Sequence, residues 1–271
     1  MTVIGTNVAA MRASYASTTA QNSLSKAIDR LSTGKRINSA ADDAAGNAIA
    51  TRMTSQIRGL NQAVRNANDG ISLAQTAEGG MNEIVNMVQR MRELAVQSAS
   101  GTLQNTDRTN LQAEVAELIL QIGDVASRTN FNGVALLDGT NATVDVQTGS
   151  ASGETVAIAL TDVDATALGI NATTVATAAG ANTALTTIDA ALGTLTTAQA
   201  TLGAAQNRLQ ATVSSLVNRV TNLSESRSRI QDANFSEEST QLAKAQILSQ
   251  ASTAMLAQAN QSQQGVLSLI R

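Results

Sequence analysis

Four residue types are absent from this chain of 271 residues: cysteine, histidine, tryptophan and proline. Without histidine or cysteine the chain cannot form a Ser-His-Asp triad, a cysteine nucleophile, or a zinc site with His or Cys ligands. Without proline, long helices can form with no kink or break. We therefore expect a helical protein that is not an enzyme and that carries no metal or other cofactor.

Aromatic residues are also scarce, and the only three are Tyr15, Phe131 and Phe235. Alanine, serine, threonine, glutamine and asparagine dominate instead. Apolar burial contributes about 25 cal/mol per Å², and an alanine-rich interior buries little apolar area per residue. Stability should therefore come from many repeated helix contacts, including contacts between molecules.

Long apolar runs are missing as well. No stretch of about 18 consecutive apolar residues is present, so we expect no membrane span. The N-terminus, Met1 to Gly5, lacks the basic patch and apolar run of a secretory signal peptide. If the protein acts outside the cell, it leaves by a route that needs no cleaved signal.

Positive charge is absent from a long central stretch. The formal net charge is −3, yet no lysine or arginine lies between Arg128 and Arg208. Six acids lie there, which are Asp138, Asp145, Glu154, Asp162, Asp164 and Asp189. A solvated acidic surface is the simplest interpretation. Nucleic acid is not an expected partner, because no dense basic run is interleaved with aromatic residues.

The most regular feature present is a heptad repeat of apolar residues in the C-terminal half. Its members are Ile188, Leu195, Leu202, Leu209, Leu216, Leu223 and Ile230. Leu192, Val213 and Val220 fill half of the intervening positions. A seven-residue repeat keeps one narrow seam facing a partner helix. We expect that partner in the apolar stripes at 49–74 and 111–125.

The whole pattern predicts a mainly α fold. We expect an elongated antiparallel helical bundle or coiled coil that folds back on itself, with one small β-hairpin near its tip. The hairpin signal is the alternation of apolar and polar residues around Val144 and Val156. The predicted segments are an inner helix with its linker at 1–40, the first part of a helical rod at 41–140, a hairpin and irregular tip at 141–182, a long rod helix at 183–235 and a last inner helix at 236–271.

Helix ends are marked by short polar motifs. Gly34 can end the first helix, and Ser39 with Asp42 resembles a capping box for the next one. Ser236 or Asn234 can cap the last helix, and Asn132-Gly133 is a turn dipeptide. Two adjacent carboxylate pairs, Asp42-Asp43 and Glu237-Glu238, lie at predicted helix N-termini, where the helix dipole favours negative charge. Capping therefore explains these pairs better than acid/base catalysis does.

Five segments together resemble bacterial flagellin, in order and at the family's spacing. They are LSTGKRINSAADDAAG at 31–46, RNANDGISLAQTAEG at 65–79, QRMRELAVQSASG at 89–101, TNFNGVALLDG at 129–139 and AMLAQANQSQQGVLSLIR at 254–271. The resemblance implies a subunit that polymerises into the flagellar filament, outside the bacterial cell. It implies a short form of the family, in which 141–182 stand in place of the variable outer domains.

The resemblance also implies partners. The first is the chain itself, as a helical homopolymer. The others are the flagellar export apparatus, an export chaperone, and the cap and junction proteins. It further implies that the terminal helices, at about 1–35 and 236–271, become ordered only when copies assemble.

Two sets of residues match positions of the family that immune receptors recognise. Gln89, Arg90, Leu94 and Glu114 match the contact for the vertebrate Toll-like receptor, and the same helix surface is expected to pack between subunits. A second segment, 29–50, matches the peptide perceived by plant receptors. Its matching residues are Gly34, Asn38, Asp42 and Asp43, whereas Ala41 departs from the common pattern.

Two alternative functions remain open at this point. A hook–filament junction protein has the same architecture, but such proteins usually diverge in the runs at 65–101, which here follow flagellin. A secreted enzyme or adhesin on a coiled-coil stalk is the other alternative. Its central segment would be short and would lack catalytic residue types.

Overall fold

The computed structural model describes residues 6–268 and is mainly α-helical. The five helices are α1 (Val8–Thr33), α2 (Ala44–Ala99), α3 (Asn105–Arg128), α4 (Ala178–Gln231) and α5 (Phe235–Ser268). The four strands are β1 (Asn130–Phe131), β2 (Val134–Ala135), β3 (Thr143–Gln147) and β4 (Thr155–Ala159). Within this described part, no helix is both long and apolar enough to cross a membrane. The segment Met1 to Gly5, on which the signal-peptide prediction rests, lies outside it.

The chain divides into two compact units. The first comprises Met1–Ile57 with Thr221–Arg271, and the second comprises Arg58–Val220. This division falls further along the chain than the predicted boundary after residue 40, and before the predicted boundary at 235. Within the first unit, the turn after α1 binds the end of α4, because Gly34 O accepts from Ala233 N and Gln231 O accepts from Arg36 N.

The first unit is built on the packing of α1 against α5. The contact buries small side chains, chiefly Ala20, Ala27 and Ala245. Asn7 caps the start of α1 and also donates from Nδ2 to Ala259 O of α5. Asn234 caps α5 by accepting from Ser236 N, as the sequence suggested. Two helices that bury mostly alanine form a narrow contact with little apolar area.

The start of α2 corrects one predicted detail. Ser39 and Asp42 do not form a capping box on this helix, which begins later, at Ala44. Asp43 is the cap, because its Oδ1 accepts from Gly46 N at 2.9 Å. Asp42 instead closes the preceding turn by accepting from the backbone N of Ser39 at 3.1 Å. Gly34 ends α1, as the sequence predicted, and it does so in the left-handed conformation with φ of +69°.

The second unit has one continuous apolar core. It joins α2, α3 and α4 with the chain between α3 and α4. Its largest fully buried side chains include Met81, Ile84, Met91, Ile122, Leu137, Ile158, Ile170 and Ile188. Helix α2 passes without a break through Gly79 and Gly80, where the apolar pattern blurs. Gly80 leaves room for Leu137, whose Cδ1 would lie 2.8 Å from an added Cβ.

The heptad seam of α4 is buried over most of its length. Ile188, Leu195, Leu202, Leu209 and Leu216 are buried, whereas Leu223 and Ile230 are partly exposed. The alternating positions of the seam are occupied by buried Ala184, Ala191 and Ala198. Leu192, Val213 and Val220, which the sequence placed on the seam, are only half-buried.

The partner of the seam also differs in part from the prediction. Gln199 Nε2 donates to Asn82 Oδ1 and Gln206 Nε2 donates to Glu78 Oε2, both at 2.8 Å. These contacts set α4 antiparallel to α2 and place most of the buried seam beside α2 residues beyond 74. The predicted partner at 49–74 therefore serves only the later part of the seam, where Leu209 Cδ1 lies 3.4 Å from the position of a Cβ on Gly70. The stripe at 111–125 contributes Val115 and Ile122 to the same core, as expected.

Two antiparallel hairpins follow α3. The predicted one pairs β3 with β4, with Val146, Val156 and Ile158 buried and the intervening side chains more exposed. The other pairs β1 with β2 through a turn at Asn132 and Gly133, with φ of 51° and 80°. The sequence signalled that turn but not its two-residue strands. Two successive positive φ values are typical of a tight hairpin turn.

The β3–β4 hairpin does not lie at a tip beyond the helices. It runs beside α2, because Asn66 Nδ2 donates to Gln147 O and Val146 fills the space left by Gly70. A Cβ on Gly70 would meet Val146 Cγ2 at 2.9 Å. The end of α2 is covered by the irregular segment before α4 instead, where Ser98 Oγ donates to Val175 O.

Candidate interaction surfaces

Most of the exposed large apolar side chains belong to two helices. Among residues 6–265, whose side chains the structure describes, eleven such side chains are exposed, and eight of them lie on α1 or α5. On α1 they are Val8, Met11, Tyr15 and Ile28, and on α5 they are Phe235, Ile247, Leu248 and Met255. Tyr15 is 78% exposed and Phe235 is 73% exposed. Apolar surface concentrated in this way marks a place where another molecule can pack.

The two helices cannot bury these residues against each other. Apolar residues of α5 are distributed around its circumference rather than along one stripe. A helix with apolar residues on all sides needs neighbours on several sides, as in the interior of an assembly. The α1–α5 pair supplies one neighbour only, so several apolar side chains stay in contact with water.

One ion pair crosses the contact between α1 and α5. Arg30 Nη1 lies 3.6 Å from Glu238 Oε2, and both side chains are largely buried. The Nε atom of Arg30 is buried with no hydrogen-bond partner among the described residues. Glu237 and Glu238 lie in the first turn of α5, as the capping interpretation requires. Glu238 is thus a helix-terminal residue with a cationic partner across the contact.

The predicted receptor surface is centred on Arg90 of α2. Arg90 Nη1 donates to Glu93 Oε2 at 3.0 Å and Nε donates to Glu114 Oε1 of α3 at 2.9 Å. These bonds raise the pKa of the Arg90 guanidinium above its ordinary value, through Glu93 first and Glu114 second. Gln89, Arg90 and Glu114 are exposed, so the fold brings three of the four predicted residues to one surface.

Leu94, the fourth predicted residue, is not on that surface. Its side chain is 1% exposed and belongs to the core of the second unit. The prediction that Leu94 belongs to a surface contact is therefore wrong. Two other α2 side chains near this position, Arg92 and Val96, are exposed, and the sequence did not predict them as part of the surface. Arg92 Nε donates to Asp189 Oδ1 of α4 at 2.7 Å, and this bond raises the pKa of Arg92.

The predicted plant-receptor segment is held by local contacts. Asp42 accepts from Lys26 Nζ, 3.1 Å from its Oδ1. This bond, with those from the backbone N–H groups of Ser39 and Asn38, lowers the pKa of Asp42 from 3.8 to about 2. Gly34, Asn38 and Asp43 are exposed and Asp42 is half-buried. All four residues therefore lie in the segment that connects α1 to α2.

Arg108 and Gln112 join separate elements of the second unit, and the sequence did not predict these contacts. Arg108 of α3 is 7% exposed and donates to backbone carbonyls at the end of α2. Gln112 holds the segment before α4 by accepting from Val175 N. Nothing in the spacing of the chain marks these contacts, because each joins residues of different elements. Within the described ranges, no group of three acidic side chains is placed to hold a metal ion.

Comparisons with protein families find two matches that lie on the helical parts of the chain. A family model described as the bacterial flagellin N-terminal helical region matches residues 4–142. A second, described as the bacterial flagellin C-terminal helical region, matches residues 185–270. The segment between the two matches carries the β3–β4 hairpin and the irregular chain before α4.

Two curated relatives match over nearly the full length of the chain, and a third matches over part of it. It is 44% identical to a flagellin from Halalkalibacterium halodurans, covering 99% of this chain and 100% of the relative. It is 40% identical to a flagellin from Xenorhabdus nematophila, with 99% of both covered. A flagellin from Salmonella muenchen is 50% identical over 169 residues, which cover 62% of this chain and only 33% of that longer relative.

Solved structures agree with the fold. The crystal structure of Bacillus cereus flagellin matches with a TM-score of 0.52 and 32% identity, covering 60% of this chain and 94% of that chain. A flagellar hook-associated protein from Vibrio parahaemolyticus matches with a TM-score of 0.59 and covers 70% of this chain and 100% of that chain. Its identity is 16%, so this second likeness concerns the fold alone.

Proposed function

The chain belongs to the bacterial flagellin family, whose members build the extracellular flagellar filament, and we propose that its copies join mainly through the exposed apolar residues of α1 and α5. The observation that carries this proposal is the concentration of exposed large apolar side chains on those two helices. Contacts with several neighbouring copies would cover the sides that the α1–α5 pair leaves in water. A repeated contact that does not close into a ring yields a helical filament.

The same observation favours assembly-coupled ordering of the terminal helices. A pair of helices that buries mainly Ala20, Ala27 and Ala245 gains little from its own contact. Burial of a large apolar side chain contributes about 1.5–3 kcal/mol. Neighbouring copies would therefore supply much of the stability of α1 and α5, in agreement with what the family resemblance implies.

The test is seeded filament growth with single substitutions. Tyr15→Ser and Ile247→Ser should each raise the critical concentration about tenfold, since about 1.4 kcal/mol is a factor of ten. Val217→Ser, which removes an exposed apolar side chain of the second unit, is the matched control and should change growth much less. Equal effects of all three substitutions would contradict a dominant role for α1 and α5.

We further propose that the chain leaves the cell through the flagellar export apparatus, without a cleaved signal peptide. Family membership supports this route. It also supports an export chaperone, cap proteins and junction proteins as partners. Export of the tagged chain from a motile host, and its retention in a strain without the export apparatus, would support the proposal. Equal appearance in the medium of both strains would contradict it.

Recognition by a vertebrate Toll-like receptor is proposed at the exposed surface of Gln89, Arg90 and Glu114. Arg90 and Glu114 bind each other, so a receptor would meet a charged pair held in a fixed position. Reporter cells treated with monomeric Arg90→Ala and Glu114→Ala should respond less than to the unaltered chain. Lys26→Ala, in the first unit, is the control, and an unchanged response to all variants would remove these residues from the proposal.

Recognition by plant receptors is proposed for the segment 29–50. Gly34, Asn38, Asp42 and Asp43 match the pattern of the perceived peptide. Because Asp42 and Asp43 hold a turn and a helix start in the folded chain, a receptor would bind the segment best after it is released as a peptide. A synthetic peptide of 29–50 should elicit a response in plant cells, and the substitution Ala41→Lys in that peptide should increase the response.

The family is structural, so the role assigned to the chain is mechanical rather than catalytic. We propose that the buried heptad seam, from Ile188 to Leu216, keeps the second unit rigid within the filament. Leu223 and Ile230, at the end of the repeat, are partly exposed and are proposed to contribute to contacts nearer the α4–α5 connection. The five predicted segments remain our proposal for the domain organisation.

A further inference from the structure

A second exposed apolar site lies on α3, within the second unit. Leu120 of α3 is 66% exposed, although α3 buries Val115 and Ile122 on its other side. With Ile119 and Gly123 it lines a groove of about 380 Å³. A leucine left this exposed beside a groove is a candidate contact for another molecule.

The rim of this groove is acidic. Asp124, Asp138 and Asp164 line it. Asp138 accepts from Thr140 N, which lowers the pKa of its carboxyl, so it is charged at neutral pH. The nearest cation in sequence is Arg128, which pairs with Asp124, and no lysine or arginine follows until Arg208. An occupant of the groove should therefore combine apolar surface with positive charge.

The chain itself offers such a surface on α4. Arg208 and Arg219 are exposed, and neither forms an ion pair with any residue between 6 and 268. They are eleven residues apart, which is three helical turns, so they lie on the same face about 16 Å apart. The aliphatic stem of arginine covers apolar surface while its head binds carboxylates.

The acidic groove and the arginine face lie at different places within the second unit. Leu137, which precedes Asp138, packs at Gly80 of α2. Gln206 binds Glu78, and α4 runs antiparallel to α2, so Arg208 to Arg219 lies beside α2 residues that precede Glu78. Two different patches of one subunit can meet only between copies placed head to tail, which is the arrangement that extends a filament.

We propose that the Leu120 groove of one subunit receives the arginine face of α4, Arg208 and Arg219, from a second copy. This inference rests on filament formation but not on the contacts proposed for α1 and α5. Charge complementarity selects the occupant, because Asp138 and Asp164 of the groove form no ion pair among the described residues, and neither do Arg208 and Arg219 of the face. The contact sets both the position and the direction of the neighbouring copy.

Charge reversal on each side tests this pairing. The variants are Asp124→Lys for the groove, and Arg208→Glu or Arg219→Glu for the arginine face. Each should slow seeded elongation about tenfold at low salt, which is the scale of close charge pairs across interfaces. Combining Asp124→Lys with the opposing arginine reversal restores an attractive pair of inverted sign. Elongation by one of the two double variants should then return to within about threefold of the unaltered chain.

A matched control separates pairing from net charge. Asp145→Lys changes the net charge by the same amount, lies on exposed β3 outside the groove, and should elongate like the unaltered chain. Helical circular dichroism of each monomer checks the fold. If both double variants are as slow as the slower single variant, or if Asp145→Lys is as slow as Asp124→Lys, the proposal is overturned. Growth that still responds to Tyr15→Ser would show that the α1–α5 proposal stands independently.

Discussion

Arg108 closes the turn between α2 and α3 by donating from Nε to the carbonyl oxygen of Ser98 at 2.8 Å. Its Nη2 donates to Ser100 O, also at 2.8 Å, and Nη1 donates to Asn105 Oδ1 at 3.1 Å. A nearly buried cation is thus satisfied by carbonyl oxygens at the negative end of the α2 dipole rather than by a carboxylate. This single side chain thus caps the C-terminal end of α2.

Replacing Arg108 by leucine should therefore destabilise the second unit. The change leaves the Ser98 carbonyl without its partner, at a cost of about 1–3 kcal/mol in the free energy of unfolding. Arg108→Lys should recover part of the loss. Arg128→Leu, at an exposed position of the same helix, should change the free energy by less than about 0.5 kcal/mol. Urea unfolding of the monomers measures all three, and equal losses at 108 and 128 would contradict the capping role.

The heptad residues should differ in their cost of truncation. Leu209→Ala removes a fully buried side chain and should lower the free energy of unfolding by about 2–5 kcal/mol. Leu223→Ala removes a partly exposed side chain of the same repeat and should cost clearly less. Denaturant titrations of the two monomers provide the comparison. Similar losses would show that the Leu223 side chain contributes as much to stability as a buried seam residue does.

Neighbouring glycines of α2 should respond to alanine in opposite directions. A Cβ on Gly79 meets nothing within 4 Å, so Gly79→Ala should stabilise the helix by about 0.5–1 kcal/mol. A Cβ on Gly80 would lie 2.7 Å from Thr129 Oγ1 and 2.8 Å from Leu137 Cδ1. Overpacking of this kind costs about 1–3 kcal/mol. Thermal melting of both variants distinguishes them, and a stabilised Gly80→Ala would refute the close approach.

Asp42 should make stability depend on pH in the acid range. Its pKa is lowered from 3.8 to about 2 by Lys26 and by backbone N–H groups, so folding favours the charged form. The unfolded chain binds the proton first as pH falls. The contribution of Asp42 is therefore complete above its unfolded pKa and is lost as pH falls through its folded pKa.

The measurement compares the unaltered chain with Asp42→Asn in urea at several pH values. The difference in unfolding free energy should be constant above about pH 5, should be much reduced at about pH 2 and should disappear below that pH. Lys26→Met is the companion variant, because it removes the first cause of the lowered pKa. A difference that persists unchanged at about pH 2 would mean that Asp42 acts through its shape rather than its charge.

The sequence predicted the helices well because their signals are local and repeated. Apolar spacing marked α2, α3 and α4, and Gly34 and Asn234 marked helix ends. The Asn132-Gly133 dipeptide marked a turn because both residues accept a positive φ. The β1 and β2 strands were missed since two residues carry no periodicity.

Long-range relations could not be predicted in the same way. The burial of Leu94 depends on the position of other elements around α2, which the sequence of α2 alone does not contain. The register of α4 against α2 is visible in the pairs Gln199–Asn82 and Gln206–Glu78, and polar side chains at these positions form no pattern that the sequence reveals. The exposure of Leu120 likewise becomes visible only when α3 has been placed.

The alanines at alternate seam positions of α4 have an entropic consequence. Ala184, Ala191 and Ala198 have no rotatable side-chain bond, so ordering them costs only the backbone share of conformational freedom. Half of the contact thus forms without freezing any rotamer. A long helix pair made largely of such residues can gain a definite register from a few leucines, and the loss of one leucine should then loosen several helical turns at once.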